Sequence, residues 1–77
     1  MKYIEAGTQI FSSERGHKNF YYPDFTNLKT VTRVVGINVM HWLPWHQNNK
    51  KYIAAFIKDK NCVVWIAETD INEKRKN

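Results

Sequence analysis

The chain contains few of the residue types and patterns that small proteins commonly use for covalent stability, membrane insertion or phosphate binding. Cys62 is its only cysteine, so no disulfide can form within the chain. The glycines Gly7, Gly16 and Gly36 are scattered and form no glycine-rich phosphate loop. No apolar run approaches the roughly 20 residues of a membrane-spanning helix, and the N-terminus lacks the long apolar stretch of a secretory signal. These absences favour a reducing, cytoplasmic setting without a membrane segment.

Residues that could bind a metal or carry catalysis are also sparse. A tetrahedral zinc site needs four ligands, usually in close pairs, whereas His41 and His46 stand apart and nothing near Cys62 pairs with it. Cys62 begins a strongly apolar run, where a buried and unreactive thiol is the ordinary case. We therefore predict no metal, no cofactor and no enzymatic activity.

The size and the charge distribution of the chain predict a single small domain. A length of 77 residues accommodates one domain, whose core is marginal because so small a chain buries only about 60% of its unfolded surface. The net charge is +5, but much of the excess lies at the two ends of the chain. We predict one domain over residues 1–72 and a basic flexible tail over residues 73–77. A minimal domain of this kind suits an accessory or inhibitor-like factor of a phage or other mobile element.

The second half of the chain has the clearest structural pattern. Two apolar runs rich in β-branched and aromatic residues, Tyr52–Ile57 and Cys62–Ala67, flank the polar segment Lys58–Asn61. This pattern predicts a β-hairpin. Glu68–Asp70 is too polar to continue a buried strand, and it predicts a closing turn that is at most a short helical one.

The first part of the chain predicts one short strand and a long loop. Tyr3–Phe11 accommodates a short strand. Ser12–Asn19 is polar with a central glycine and predicts a loop. The pair Pro23-Asp24 signals a turn that ends the aromatic cluster before it.

The middle of the chain predicts one long strand followed by a second loop. Lys29–Trp42 is rich in β-branched residues, which favour extended backbone, and Gly36 at its centre suggests a bulge. Leu43–Asn49 is predicted as a loop, with Asn48-Asn49 supporting a turn. An exposed edge over Lys29–Met40 would allow a homodimer to form across a two-fold axis.

Several of these segments match the order of a known small fold. Val34–Ile37 has the character of a long middle strand, Asp59–Asn61 of a hairpin turn, Trp65-Ile66 of an aromatic–aliphatic pair and Glu68–Ile71 of a closing turn. In this order the chain, from about Gln9 to Ile71, resembles the bacterial Src-homology-3-like (SH3-like) small barrels. The resemblance implies an all-β, five-stranded barrel with a long first loop. It also implies a binding module rather than an enzyme.

Aromatic residues supply the candidate binding site. A core this small cannot enclose all eleven Phe, Trp and Tyr residues. Those in or beside predicted strands are assigned to the core: Phe11, Phe25, Phe56 and Trp65. The resemblance implies that two loops frame a groove for a protein partner, formed by Phe20, Tyr21, Tyr22, Trp42, Trp45 and His46. The alternative is that these loop rings cap the ends of the barrel.

Nucleic-acid binding is the alternative function. Small barrels bind DNA or RNA by combining basic grooves with stacking aromatics. Basic residues that could serve this purpose are Arg15, Lys18, Lys50, Lys51, Lys74, Arg75 and Lys76. The predicted folded part has only a small positive excess, so we rank protein binding first. A secreted wall-binding module ranks third, because it would require an export signal.

Overall fold

The chain folds almost entirely into β-strands. The structure, a computed structural model, describes residues 1–16, 21–58, 60 and 62–73. Over these residues the fold is all-β, as predicted, and no helix is long and apolar enough to cross a membrane. A 3-10 turn, Glu68–Asp70, follows the seventh strand. The strands are β1 (Lys2–Ile4), β2 (Gln9–Arg15), β3 (Tyr21–Thr30), β4 (Val35–Val39), β5 (Trp45–Gln47), β6 (Lys50–Ile57), β7 (Cys62–Ala67) and β8 (Asn72–Glu73).

These eight strands form one open sheet, so the prediction of a closed five-stranded barrel is wrong. The strand order is β3-β2-β7-β6-β4-β1-β8, and β5 also pairs with β6. Because β6 is eight residues long, its first part pairs with β5 and its last part pairs with β4. β5 lies in a segment that the sequence predicted as a loop, and the single strand predicted over Tyr3–Phe11 is divided into β1 and the start of β2.

The predicted hairpin in the second half is confirmed. β6 and β7 pair in continuous register from Tyr52 opposite Ala67 to Ile57 opposite Cys62. The closing turn after β7 is also confirmed, as the 3-10 turn. The last described residue, Glu73, pairs with Lys2 of β1, so β8 extends one residue beyond the predicted domain boundary.

The predicted long first loop is wrong over Ser12–Arg15, which continues β2 and pairs with Tyr21–Asp24 of β3. Polar residues fit here because one side of an antiparallel sheet can face water. The predicted turn at Pro23-Asp24 is wrong as well, since β3 runs through both residues. β3 is the terminal strand of the sheet order, where the missing N–H of proline leaves no ladder hydrogen bond unmade on the outer side.

The predicted long strand over Lys29–Trp42 is divided into β3 and β4 by residues 31–34. Val31 leaves β3 because it bonds to the β1–β2 connection: Gly7 N–H donates to the Val31 carbonyl (2.8 Å), and Val31 N–H donates to the Thr8 carbonyl (3.0 Å). Gly7 has a φ of +91°, which glycine adopts without strain. The bulge predicted at Gly36 is wrong, because Gly36 pairs regularly with Tyr3. A register shift lies instead between Phe11 and Ser12.

The predicted loop over Leu43–Asn49 contains a strand as well as a turn. β5 pairs with the first residues of β6, and Asn48 and Asn49 connect them with φ values of +52° and +63°. Two successive positive φ angles are the requirement of the tight two-residue hairpin turn, and asparagine is among the residues that tolerate them. The turn predicted at Asn48-Asn49 is therefore confirmed.

Alternation along the strands sends aliphatic and aromatic side chains to opposite faces of the sheet. In β7, Val64 and Ile66 belong to the aliphatic core, whereas Trp65, between them, faces the other side and is only 1% exposed. In β6, Ala55 and Ile57 face the core in the same way. We call the buried cluster the aliphatic core; it consists of Ile4, Ile10, Val35, Ile37, Ala55, Ile57, Val64 and Ile66.

Candidate aromatic binding surface

Three aromatic rings pack together on the face opposite the aliphatic core. Phe11 of β2 and Tyr52 of β6 contact Phe25, which lies in β3 next to the register shift. The ring centroids are 5.0 Å apart for Phe11–Phe25, 5.1 Å for Phe25–Tyr52 and 5.8 Å for Phe11–Tyr52, and all three pairs meet edge to face. This geometry is favourable for aromatic quadrupoles, so the trio forms a stable base for the rings beside it.

A second group of rings continues from the buried Trp65 towards solvent. Trp42 lies between Trp65 and Tyr21: its ring centroid is 6.1 Å from that of Trp65 and 5.2 Å from that of Tyr21. Tyr21 and Trp42 are stacked, with only 18° between their planes. Tyr22 meets Trp45 at 6.2 Å. We call Tyr21, Tyr22, Trp42 and Trp45 the ring surface.

The ring surface joins two segments of the chain that do not pair through their backbones. Tyr21 and Tyr22 begin β3, whereas Trp42 precedes β5 and Trp45 begins it. β3 and β5 are separated in the sheet by β2, β7 and β6. The sheet must therefore curl enough for its far strands to meet through side chains.

Ring-to-ring contacts connect the two sides of the predicted aromatic groove. The structure brings together the residues predicted for its two sides, Tyr21 with Trp42 and Tyr22 with Trp45. All four side chains are half-buried, so each both packs within the protein and reaches solvent. Of the two remaining predicted site residues, Phe20 lies outside the described residues and His46 is exposed.

The β5–β6 hairpin holds one end of the ring surface in place. Trp45 Nε1 donates a hydrogen bond to Gln47 Oε1 (3.3 Å), which lies on the same side of β5. His46 is exposed and pairs with Lys51 across the hairpin. The tight turn at Asn48-Asn49 limits how far Trp45 can move relative to β6.

Leu43 is a candidate site residue that the sequence analysis did not include. It lies in the connection between Trp42 and Trp45, and its side chain is 86% exposed. A large aliphatic residue between two tryptophans in a non-strand segment was the signal that could have identified it. An exposed leucine beside half-buried rings extends the apolar surface that a partner could cover.

The basic residues predicted for nucleic-acid binding are only partly collected at this surface. Arg15 is exposed and directly opposite Tyr21 across β2 and β3, so a cation lies beside the rings. Lys50 is exposed at the hairpin turn. Lys51 Nζ forms an ion pair with Glu68 Oε2 (3.2 Å). The other predicted basic residues lie outside the described residues: Lys18, Lys74, Arg75 and Lys76.

The environment of the cysteine differs from the prediction. Cys62 is exposed, which corrects the prediction of a buried thiol. It is the first residue of β7, beside the hairpin turn, where the strand has not yet entered the core. Among the described residues, no three His, Cys, Asp or Glu side chains cluster as metal ligands would.

Comparisons of this chain with protein-family models, with curated proteins and with solved structures find no match. The Src-homology-3-like resemblance therefore stays a prediction. Any function must be inferred from the geometry of the molecule itself.

Proposed function

We propose that this chain is a small, non-enzymatic protein that binds another protein through the ring surface and Leu43. The observation that supports this proposal most is the contact of four half-buried rings from two distant segments, next to an 86% exposed leucine. Rings fixed by their neighbours lose little conformational entropy on binding, and Trp and Tyr are enriched among residues that dominate interface energetics.

The arrangement of the rings favours a protein partner over a nucleic acid. Bases bind by stacking on free aromatic faces, whereas Tyr21 and Trp42 already stack on each other and so each has one face occupied. Leu43 offers no stacking plane, but its burial against an apolar partner surface would contribute roughly 1.5–3 kcal/mol. His46 and Lys50 supply a polar rim of the kind found around protein interfaces.

The size of the chain supports an accessory role for this surface. A domain of 77 residues with one aromatic patch suits a cytoplasmic factor that captures and inhibits a larger host protein, as phage-type accessory proteins do. β3 lies at the end of the sheet order, so a second copy of the chain is the alternative partner.

The variant Leu43→Ser tests this proposal without disturbing the fold. Because the Leu43 side chain packs against little of the protein, the substitution should change stability by less than about 0.5 kcal/mol. It should reduce partner capture at least about tenfold in pull-downs from host lysate treated with nuclease. The matched control is Leu28→Ser, which makes the same change at a 47% exposed leucine near the other end of β3 from Tyr21 and Tyr22. Equal capture by both variants would contradict the proposal.

Nucleic-acid binding is a second candidate because Arg15 lies directly opposite Tyr21. The measurement is the anisotropy of labelled single-stranded DNA and RNA at increasing salt. For a nucleic-acid binder, the logarithm of the association constant should fall linearly with the logarithm of the salt concentration. Arg15→Gln should remove one phosphate contact and so reduce the magnitude of this slope by about 0.7. A flat response to salt, or no binding at low salt, eliminates this candidate.

A further inference from the structure

A cavity of about 430 Å³ lies beside the aliphatic core, and none of its described lining residues belongs to the ring surface. Its walls come from the middle of β2, the end of β3, the 31–34 connection and the ends of β6 and β7 that meet at the hairpin. The volume is within the range of about 300–1,000 Å³ that is typical of small-molecule sites.

The floor of this cavity is the least sealed part of the aliphatic core. Ile10, Val35 and Val64 line it and are 6–8% exposed, whereas Ile4 and Ile66 are 0% exposed. The residual exposure of the core is therefore concentrated at this point. Val31 completes one wall and is held by its two backbone hydrogen bonds to the β1–β2 connection.

The described residues that line the cavity have charge of one sign. Lys29, Arg33 and Lys60 line it, and no described residue of its lining is acidic. Hydroxyl groups of Ser12 and Thr30 are present as well. By contrast, a smaller cavity, of about 300 Å³, has one basic and two acidic residues in its lining, Lys2, Glu68 and Glu73.

From the apolar floor and the cationic lining, we propose that this cavity binds a small amphipathic anion, with an aliphatic body and one carboxylate or phosphate head. The body would pack on the half-buried side chains of Val31 and Val63 and on the small exposed fraction of the floor, which is favourable in proportion to the apolar area removed from water. The head would accept charge-assisted hydrogen bonds from the Lys29 and Lys60 ammonium groups. This site is independent of the proposed protein-binding surface.

Calorimetric titration of the full chain with four probes of equal chain length tests the proposal: octanoate, octyl phosphate, octan-1-ol and octylammonium. At least one of the two anions should bind with one-to-one stoichiometry, about tenfold more tightly than the alcohol, and octylammonium should not bind. Whichever anion binds more tightly identifies the head group. Equal affinity for anion and alcohol, or no binding of either anion, would overturn the proposal.

Two double variants and one set of NMR shifts locate the binding site. Lys29→Gln with Lys60→Gln should reduce anion affinity to that of octan-1-ol, whereas Lys2→Gln with Lys50→Gln, which changes the net charge equally, should leave it unchanged. Amide shifts on titration should centre on Val31, Val35 and Val64. Shifts centred on Tyr21 and Trp42, or equal losses in the two double variants, would overturn the assignment.

Discussion

The aliphatic core and the aromatic face share the same strands but differ in how completely they are closed. Trp65 lies between Val64 and Ile66 in β7, and all three are buried. The two faces differ in the solvent exposure of their other residues. Ile4 and Ile37 of the aliphatic core are almost completely buried, whereas all four residues of the ring surface are half-buried.

This difference follows from which elements cover each face. β1 and β4 extend the sheet on one side of β6, and their aliphatic residues Ile4, Val35 and Ile37 complete the aliphatic core. The other face is closed where β3 approaches β5, by side chains rather than by a strand ladder. A layer closed by rings alone leaves ring faces and edges in contact with solvent, and these half-buried rings form the surface that we propose for protein binding.

Ile37→Ala should cause the largest loss of unfolding free energy and so show most clearly that the aliphatic core is the more completely closed face. Ile37 is 1% exposed and central to the aliphatic core, so truncation should cost about 2–5 kcal/mol of unfolding free energy through lost burial and the resulting cavity. The measurement is urea denaturation followed by circular dichroism. If this variant does not fold, Ile37→Val should cost about 1 kcal/mol. A cost for Ile37→Ala below about 1 kcal/mol would contradict the assignment of a sealed core.

A double-mutant cycle of Tyr21→Ala and Trp42→Ala should show a coupling energy smaller than the loss caused by Ile37→Ala. The stacked pair should have a coupling energy of about 0.5–1.5 kcal/mol, obtained from the unfolding free energies of the four proteins. The control cycle combines Tyr21→Ala with Leu28→Ala, which lies near the other end of β3 and should be additive within about 0.5 kcal/mol. Additivity in the first cycle would mean that ring contacts do not hold the face closed.

Lys51→Gln should cause the smallest loss of unfolding free energy. The Lys51–Glu68 ion pair joins β6 to the 3-10 turn, with side chains 42% and 54% exposed. Exposed ion pairs contribute little, so we expect a loss of at most about 0.5 kcal/mol that disappears at about 1 M salt. A loss above 1 kcal/mol, or one that persists in high salt, would mean that the turn depends on this pair.

The strand elements that the sequence predicted well are those with strong local patterns. The β6–β7 hairpin combines two β-branched runs with a polar turn, and Asn48-Asn49 is a local turn signal, so neither depended on distant residues. By contrast, Ser12–Arg15 is a strand because β3 pairs with all of it and Val64 of β7 pairs with Ser12. The division of Lys29–Trp42 depends on hydrogen bonds between Val31 and a segment more than twenty residues earlier.

The candidate site shows the same limit of local reasoning. Tyr21, Tyr22, Trp42 and Trp45 were identified from the sequence as aromatic residues outside the predicted core. Their pairing, and the half-burial that results from it, required the curl of the sheet. Leu43 was missed because its importance comes from its exposure, and exposure is a property of the folded surface.

The sequence by itself determined that the chain is all-β and that Tyr52–Ala67 forms a hairpin, because β-branched runs and turn residues act over a few neighbouring positions. Only the tertiary structure decided that eight strands form an open sheet and that two aromatic segments meet on one side of it. Backbone pairing and ring contacts between distant segments depend on the path of the whole chain, which no local pattern specifies.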